Sequence, residues 1–465
     1  MGVTRYRLDP SWRRPGDGSV VVAGSPLRLF RLSAGGAHVV SLVEAGTPPS
    51  TAAVDDLLDR FVVAGALHPL PTSSPFTLDD VTVVMPFYAG EGDAGEGDAG
   101  DSDDGAVRVP DGLRVIVVDD ASPVPPTIPA SESDGRVTVI RREVNGGPGA
   151  ARNTGLAAVT TPLVAFVDRD VTLPEDATAW LDPLLAHFTD DRVALVAPRV
   201  ANATDTHLPT TDHESRHSPL DLGDVPARIA PGTRVGYVPA ATIVCRTEVI
   251  RDLGGFDRSM RVGEDVDLVW RLVEAGHRAR YEPTSVVAHR PRPSWAALWR
   301  QRVAYGSSAA PLARRHATAV APVRTTVWSL AVWGFVAVRR PLLALSVGAA
   351  TTVALTRRLD ALRARDAAPI ALEGHLAAGV QLCRAMRRVW WPIAIIVALC
   401  VRRARPVLLG ALVVPEVVAA VRERSSQPLV DLPRVAVDDV AYGAGVWRGV
   451  FTAHSARALV PEISV

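Results

Sequence analysis

Two apolar runs in the sequence end in paired acids. "VIVVDDAS" closes on Asp119 and Asp120, and "AFVDRD" closes on Asp168 and Asp170, with Arg169 between them. If both runs are parallel strands of one sheet, their tips meet at one edge and four carboxylates gather there. Such a group repels itself unless a cation or a hydrogen-bonding ligand joins it. A hard divalent ion with oxygen ligands is the simple solution, and Mg2+ commonly completes its shell with substrate phosphates. The alternative is that one Asp of each pair caps the helix that follows.

Two further stretches belong with the acids. In "NGGPGAARNTG", Gly146, Gly147 and Gly149 let the backbone approach a ligand closely as it enters a helix. The amides of a helix N-terminus favour an anion, and Arg152 on the first turns can neutralise phosphate charge. In "GEDVDLVWRLVEAG", Glu264 and Asp265 fall in the first turn of a helix, where the dipole favours carboxylates. Either one, facing a cleft, is a general base able to take a proton from a hydroxyl. As capping residues they need no further role. Asp267 and Arg271, spaced i and i+4, read as a structural ion pair.

The elements that must position these residues follow from the surrounding pattern. Across 80–300, "DVTVVMPFY", "RVIVVDD", "RVTVIRR" and "LVAFVDRD" are short Val-rich strands without strict alternation, as when both sheet faces are covered. "GPGAARNTGLAAV" supplies a helix between the third and fourth. The result is a doubly wound α/β domain with its ligands beyond the carboxyl ends of the strands. Residues 89–111, with "EGDAG" repeated and rich in acid and Gly, predict a disordered insertion.

The flanking regions differ in character. Residues 1–75 alternate short apolar runs with a helical pattern in "STAAVDDLLDRFVVAGALHPLP", which Ser50 or Thr51 can cap and Gly65 can end. They predict a small winged-helix-like α+β domain, joined by the linker "PTSSP". Residues 317–421 carry uncharged runs at 325–338, 341–356, 389–401 and 406–415, each shorter than the roughly 20 residues that span a bilayer comfortably. Arg-rich flanks and the edge residues Trp390 and Trp391 predict an α-helical apolar region held at a membrane surface, with a buried helical bundle as the alternative. Residues 422–465 form a C-terminal tail.

Composition sets the outer limits. A chain of 465 residues calls for two or three domains. Acidic and basic residues balance at 50 each, which argues against bulk nucleic-acid binding, and every one of the fifty cations is Arg. Cys245, Cys383 and Cys400 have neither metal-ligand nor disulfide spacing, so a reduced, cytosol-facing protein is expected. The first residues have no apolar core and predict no signal peptide. The Met-Gly start lacks the hydroxyl residue that would favour lipidation.

Taken in order, "VTVVMPFY", "VVDDAS", "NGGPGAARNTG", "FVDRD", "GGFD" and "GEDVDLVWRL" resemble glycosyltransferase family 2 over residues 80–295. The resemblance implies an inverting, metal-dependent enzyme with the GT-A nucleotide-sugar-binding fold. It places Pro86, Tyr88 and Asp120 in a nucleotide pocket, with Arg152 on base or diphosphate. Asp168 and Asp170 become the DxD pair, Asp170 the direct ligand of Mn2+ or Mg2+, with His289 of "VVAHRPR" near metal and diphosphate. Asp265 becomes the catalytic base and Glu264 an acceptor contact. Arg169 departs from the small or acidic residue usual inside DxD. The QxxRW signature of processive synthases is absent, its nearest match being "QRVAY" at 301–305.

The N-terminal pattern is similar to PqqD-like peptide-recognition domains, and with "YGSSAAPLARRH" the whole chain resembles the glycosyltransferases of the mycofactocin system. That likeness implies UDP-glucose as donor and β-1,4-linked glucose added to mycofactocin, a peptide-derived redox cofactor. The Arg-flanked apolar runs and the reduced cysteines, for their part, predict a place at the cytoplasmic face of the cell membrane, or in the cytoplasm. Two rivals stand beside this likeness: a family 2 enzyme acting on a lipid-linked or cell-wall glycan, and a nucleotide-sugar-binding scaffold without activity.

Overall fold

Short apolar runs before residue 75 make short strands. The computed structural model describes residues 5–47, 51–89, 107, 112–128, 135–203, 208–358 and 363–464. Apart from Ala89 and Val107, the insertion expected over 89–111 lies outside them, as does Ser50. The first elements are strands β1 (Arg5–Leu8), β2 (Val20–Ala23) and β3 (Arg28–Arg31), helices α1 (Ala34–Glu44) and α2 (Ala52–Val63), and strand β4 (Leu67–Leu70). Thr51 stands at the N-cap of α2 without a side-chain cap hydrogen bond, and Gly65 follows its end at φ 70°.

Contacts divide the chain into two units. One comprises residues 1–12, 23–28 and 38–298; the other comprises 13–22, 29–37 and 299–465. Residues 1–75 thus contribute to both.

In the first unit β1 pairs antiparallel with β4. Asp9, just after β1, is 2% exposed and accepts from Arg234 Nη1 at 2.8 Å and Nη2 at 2.9 Å. It also meets His68 Nε2 at 3.0 Å. A buried carboxylate is tolerated only when paired in this way.

The larger sheet of this unit uses β5 (Val81–Phe87), β6 (Arg114–Asp119), β7 (Val137–Arg141), helix α3 (Pro148–Ala158), β8 (Leu163–Val167) and β9 (Val171–Thr172). It continues through α4 (Ala177–Leu185), β10 (Val193–Asn202), α5 (Thr211–His217), β11 (Ala227–Ile229) and β12 (Thr242–Arg246). Helices α6 (Thr247–Asp252) and α7 (Glu264–Glu274) and strand β13 (Arg278–His289) complete it. The strand order is β11-β13-β10-β12-β8-β5-β6-β7, with β9 also on β13.

Strands β8, β5, β6 and β7 are parallel, and β12 runs antiparallel to both β8 and β10. The order turns between β5 and β8, the switch point at which an open α/β sheet offers its crevice. All four strands and the helix expected from the sequence form. Both faces are covered: Trp180, Leu181 and Leu184 of α4 join the core that holds Val83, Met85 and Val117, while α3 lies on the face of Val84 and Val118.

The second unit is helical. It contains most of α8 (Trp295–Ser307), then α9 (Ala309–Arg315), strand β14 (Arg324–Thr326), α10 (Val327–Ala337) and α11 (Pro341–Arg358). Helices α12 (Ala364–Arg388), α13 (Trp391–Cys400), α14 (Arg405–Glu423) and α15 (Gln427–Thr452) follow, and strand β15 (Glu462–Ser464) pairs parallel with β14. The 26-residue α15 occupies much of the stretch read as a tail. Residues Arg402–Glu423 form one helical segment of 22 residues, by length and composition enough to cross a membrane. The sequence reading had stopped this run at Pro415, but Glu416 is buried against Arg387 at 2.6 Å and does not break it.

Gly155 shows how closely α3 meets the sheet, since a Cβ there would fall onto Val84 Cγ1 and lie 3.1 Å from Val118 Cγ2. Ala normally outranks Gly in a helix by about 1 kcal/mol; overpacking costs about 1–3 kcal/mol and wins here. Gly155→Ala therefore lowers the melting temperature. Gly374→Ala on α12, where a Cβ meets nothing within 4 Å, raises it. A thermal melt of both variants checks the pair.

Candidate active site

The carboxyl ends of β5, β6 and β8 bring the acid pairs to one edge, as the parallel register requires. They do not share one cation there. In the β6–β7 register Asp119 stands opposite Arg141, whose Nη1 donates to Asp119 Oδ2 and whose Nη2 donates to Ser122 O at 2.9 Å. Ser122 N closes the ring on Asp119 Oδ1 at 2.8 Å. Asp120 accepts from Arg142 Nη1, from Gly146 N at 3.1 Å and from Gly147 N at 2.7 Å. It therefore caps the turn into α3, where Gly147 takes φ 84°. Both acids are buried and already neutralised.

The second pair faces different partners. Arg152, 3% exposed, donates Nη2 to Asp168 Oδ1 at 2.6 Å and Nη1 to Glu264 Oε1 at 2.7 Å. Its guanidinium lies 5.3 Å from the Phe256 ring centroid, and its buried Nε has no hydrogen-bond partner among the described residues. Asp170 Oδ2 meets His289 Nε2 at 3.0 Å and Arg292 Nη2 at 3.5 Å. Arg169 donates Nη1 to Tyr88 O at 3.0 Å and covers the Phe87 ring at 4.9 Å. Arg169 thus ties the tip of β8 to that of β5, beside half-buried Pro86 and Tyr88.

The electrostatics separate the two acids. Burial and the nearby charge of Asp170 raise the Asp168 carboxyl above its usual range, although Arg152 opposes them. Asp170 is held well below that range: burial opposes the shift, but His289 and Arg292 outweigh it. Arg152 is raised despite its burial, because Asp168 and Glu264 hold its proton.

Helix α7 presents the remaining acids after Gly263, whose φ of 81° turns the chain into the helix. Glu264 is buried on Arg152. Half-buried Asp265 is aimed by two amides, Ala240 N at 3.1 Å and Val266 N at 2.7 Å. Asp267 is fully buried and pairs with Arg271 Nε at 2.8 Å, as the spacing required. Arg271 also donates to the carbonyls of Leu253 and Gly255, both at 2.7 Å.

Three contributors were not found from the sequence. Arg141 and Arg142 could have been, since a basic pair ends the strand beside the acid pair. Asn153 exchanges two hydrogen bonds with the Phe256 backbone, at 2.7 and 2.8 Å, and holds the "GGFD" turn against α3. Among the described residues no three His, Cys, Asp or Glu side chains converge closely enough to hold a metal. Asp168 and Asp170 offer two carboxylates with one imidazole beside them, which suits an ion that takes its other ligands from a phosphate-bearing substrate.

The family model of glycosyl transferase family 2 matches residues 106–250, from before β6 to within α6. The pre-mycofactocin glycosyltransferase of Mycobacterium tuberculosis is 40% identical over 98% of this chain and 97% of its own length. The chain belongs to the pre-mycofactocin glycosyltransferases. It is a family 2 glycosyltransferase with the GT-A fold. The succinoglycan biosynthesis protein ExoU of Rhizobium meliloti is 30% identical over 38% of this chain and 53% of its own. Among solved structures, a mannosyltransferase from Pyrobaculum calidifontis in complex with GDP-Man and Mn2+ has a TM-score of 0.35 and 20% identity. That match covers 67% of this chain and 89% of the other.

In this glycosyltransferase Arg152→Met leaves Glu264 and Asp168 without their counter-charge, and losing one partner of a buried pair costs about 3–5 kcal/mol. Adding Glu264→Gln recovers part of that loss, because one stranded charge disappears. Urea denaturation of the single and double variants measures both.

Proposed function

We propose that this glycosyltransferase moves glucose from UDP-glucose onto mycofactocin or its precursor, in β-1,4-linked units, with inversion at the anomeric carbon. The observation that carries this reading is 40% identity with a pre-mycofactocin glycosyltransferase over 98% of the chain, rather than a match confined to the sugar-nucleotide domain.

Asp265 is the proposed base. Two backbone amides fix its carboxylate, and it stands in the first turn of α7 beside the acids of the β8 tip. It takes the proton of an acceptor hydroxyl. The freed oxygen attacks the anomeric carbon from the face opposite the nucleotide, the bond to the diphosphate breaks, and UDP departs with the electron pair. Glu264, fixed by Arg152, lines the acceptor side.

Pro86 and Tyr88 line the proposed nucleotide pocket, and Asp120 shapes it by holding the glycine turn into α3. Arg152, buried between two acids, acts by positioning Asp168 and Glu264, and His289 and Arg292, both on Asp170, are the proposed cations for the diphosphate charge. Mn2+ or Mg2+ held by Asp168 and Asp170, with His289 adjacent, would supply Lewis-acid stabilisation to that charge.

The apolar helices of the second unit support docking at the cytoplasmic face of the membrane: Leu342 is 77% exposed and Leu399 72%. The same exposure favours a second reading, a lipid-linked glycan acceptor.

Mass spectrometry of the purified chain with UDP-glucose, Mn2+ and the mycofactocin aglycone tests the proposal, with a lipid phosphate offered in parallel. Successive hexose additions to the aglycone are expected. They fall about 100- to 10,000-fold in Asp265→Asn, the range for loss of a general base. Sugar on the lipid alone overturns the acceptor, and transfer undiminished in Asp265→Asn overturns the base. Omission of Mn2+ together with a chelator removes activity, and readdition restores it.

A further inference from the structure

The second unit holds a cavity that the transfer chemistry does not use. It measures about 220 Å3, between α9, α12, α15 and the turns at 320–322 and 458. Ala309, Pro322, Ala385 and Val446 give it apolar walls, while Arg384, Arg388 and Tyr442 supply the polar part. The space equals that of about seven waters at roughly 30 Å3 each. It suits a phosphate with a short polar body and is too small for a nucleotide sugar.

Charge around the cavity is unbalanced. Arg388 donates to Asp439 Oδ1 at 2.8 Å and lies 3.8 Å from the Tyr442 ring centroid. Arg387 takes the other oxygen of Asp439 at 2.5 Å and also Glu416 at 2.6 Å. These two arginines therefore occupy Asp439 and Glu416, and the neighbouring Asp438 is taken by Arg302 Nε at 2.8 Å. Arg384 is exposed at the rim and, among the described residues, pairs with no acid. A surplus cation beside such a cavity fits a phosphate on a short polar body, and Arg is the residue that grips phosphate oxygens bidentately.

What lies next to the cavity narrows the choice of ligand. Val389 lines it, and α13 begins two residues later with Ile395 51%, Ile396 60% and Leu399 72% exposed. We propose that the cavity is a headgroup site for an acidic phospholipid. Its phosphate pairs with Arg384 and Arg388, its glycerol rests on the alanine and valine walls, and its chains follow the exposed apolar helices. This rests on the membrane docking proposed above and adds to it a discrete site that selects lipid charge.

The test is co-sedimentation of the full chain with vesicles of phosphatidylcholine alone and with vesicles that also contain phosphatidylglycerol. Tighter binding to the acidic vesicles is expected. One arginine near an acidic surface contributes about fivefold in affinity. Arg384→Gln therefore loses about that much of the preference, while binding to neutral vesicles and sugar transfer to a soluble acceptor stay unchanged. Arg384→Lys keeps most of it. Binding to neither kind of vesicle overturns the membrane docking itself. Equal binding to both, or a preference intact in Arg384→Gln, overturns the headgroup site and leaves the docking standing. Competition by inorganic phosphate as effective as by short-chain phosphatidylglycerol replaces the lipid with free phosphate.

Discussion

The guanidinium of Arg152 sits in the protein interior with Glu264 on one nitrogen and Asp168 on another, and the arrangement of the catalytic unit turns on that triad. Removing a guanidinium from water costs several kcal/mol, and only close anions in good geometry repay it. The two anions come from different elements, the start of α7 and the end of β8, so satisfying Arg152 fixes both relative to α3. Gly149 permits the approach, since a Cβ there would lie 3.1 Å from Glu264 Cγ and 3.3 Å from Phe256 Cβ. Asn153, next to Arg152, holds the turn that leads into α7. Helix α3 is thus the reference against which the proposed base and the proposed metal-binding pair are both set.

A division of labour among the acids follows. Arg141 and Arg142 neutralise Asp119 and Asp120, turning the first pair into structural anchors for the strand tip and the glycine turn. Among the described residues the second pair meets no comparable arginine from a neighbouring strand. It leans on Arg152, on His289 and on Arg292, groups at the edge of the crevice. Electrostatic repulsion among four acids is avoided by spending cations on two of them, which leaves the other pair for a ligand.

Much of this was legible in the sequence. The Val-rich strands, the glycine turn into α3 and the Asp267–Arg271 pair all form, because each rests on local spacing. The fate of Asp119 and Asp120 was not legible as a pair of anchors, since it depends on the register that puts Asp119 opposite Arg141. The role of Arg169 was equally hidden: its ring contact with Phe87 needs β5 and β8 side by side. The uncharged run at 406–415 continues as helix to Glu423, and the buried partner Arg387 is what makes Glu416 compatible with it. In each case the missing information was a contact between distant residues.

Strand β12, antiparallel between β8 and β10, divides the sheet, and its consequence lies in the order of assembly. Asp170 and His289 are 119 residues apart in the chain, and Arg152 and Glu264 are 112 apart. Contacts of such separation form late, after the loop-closure entropy between them has been met. During synthesis the acids of the β8 tip therefore exist for a long stretch without the histidine and glutamate that complete their surroundings. A chain made only as far as β12 therefore lacks the α7 partner of Arg152 and the β13 partner of Asp170.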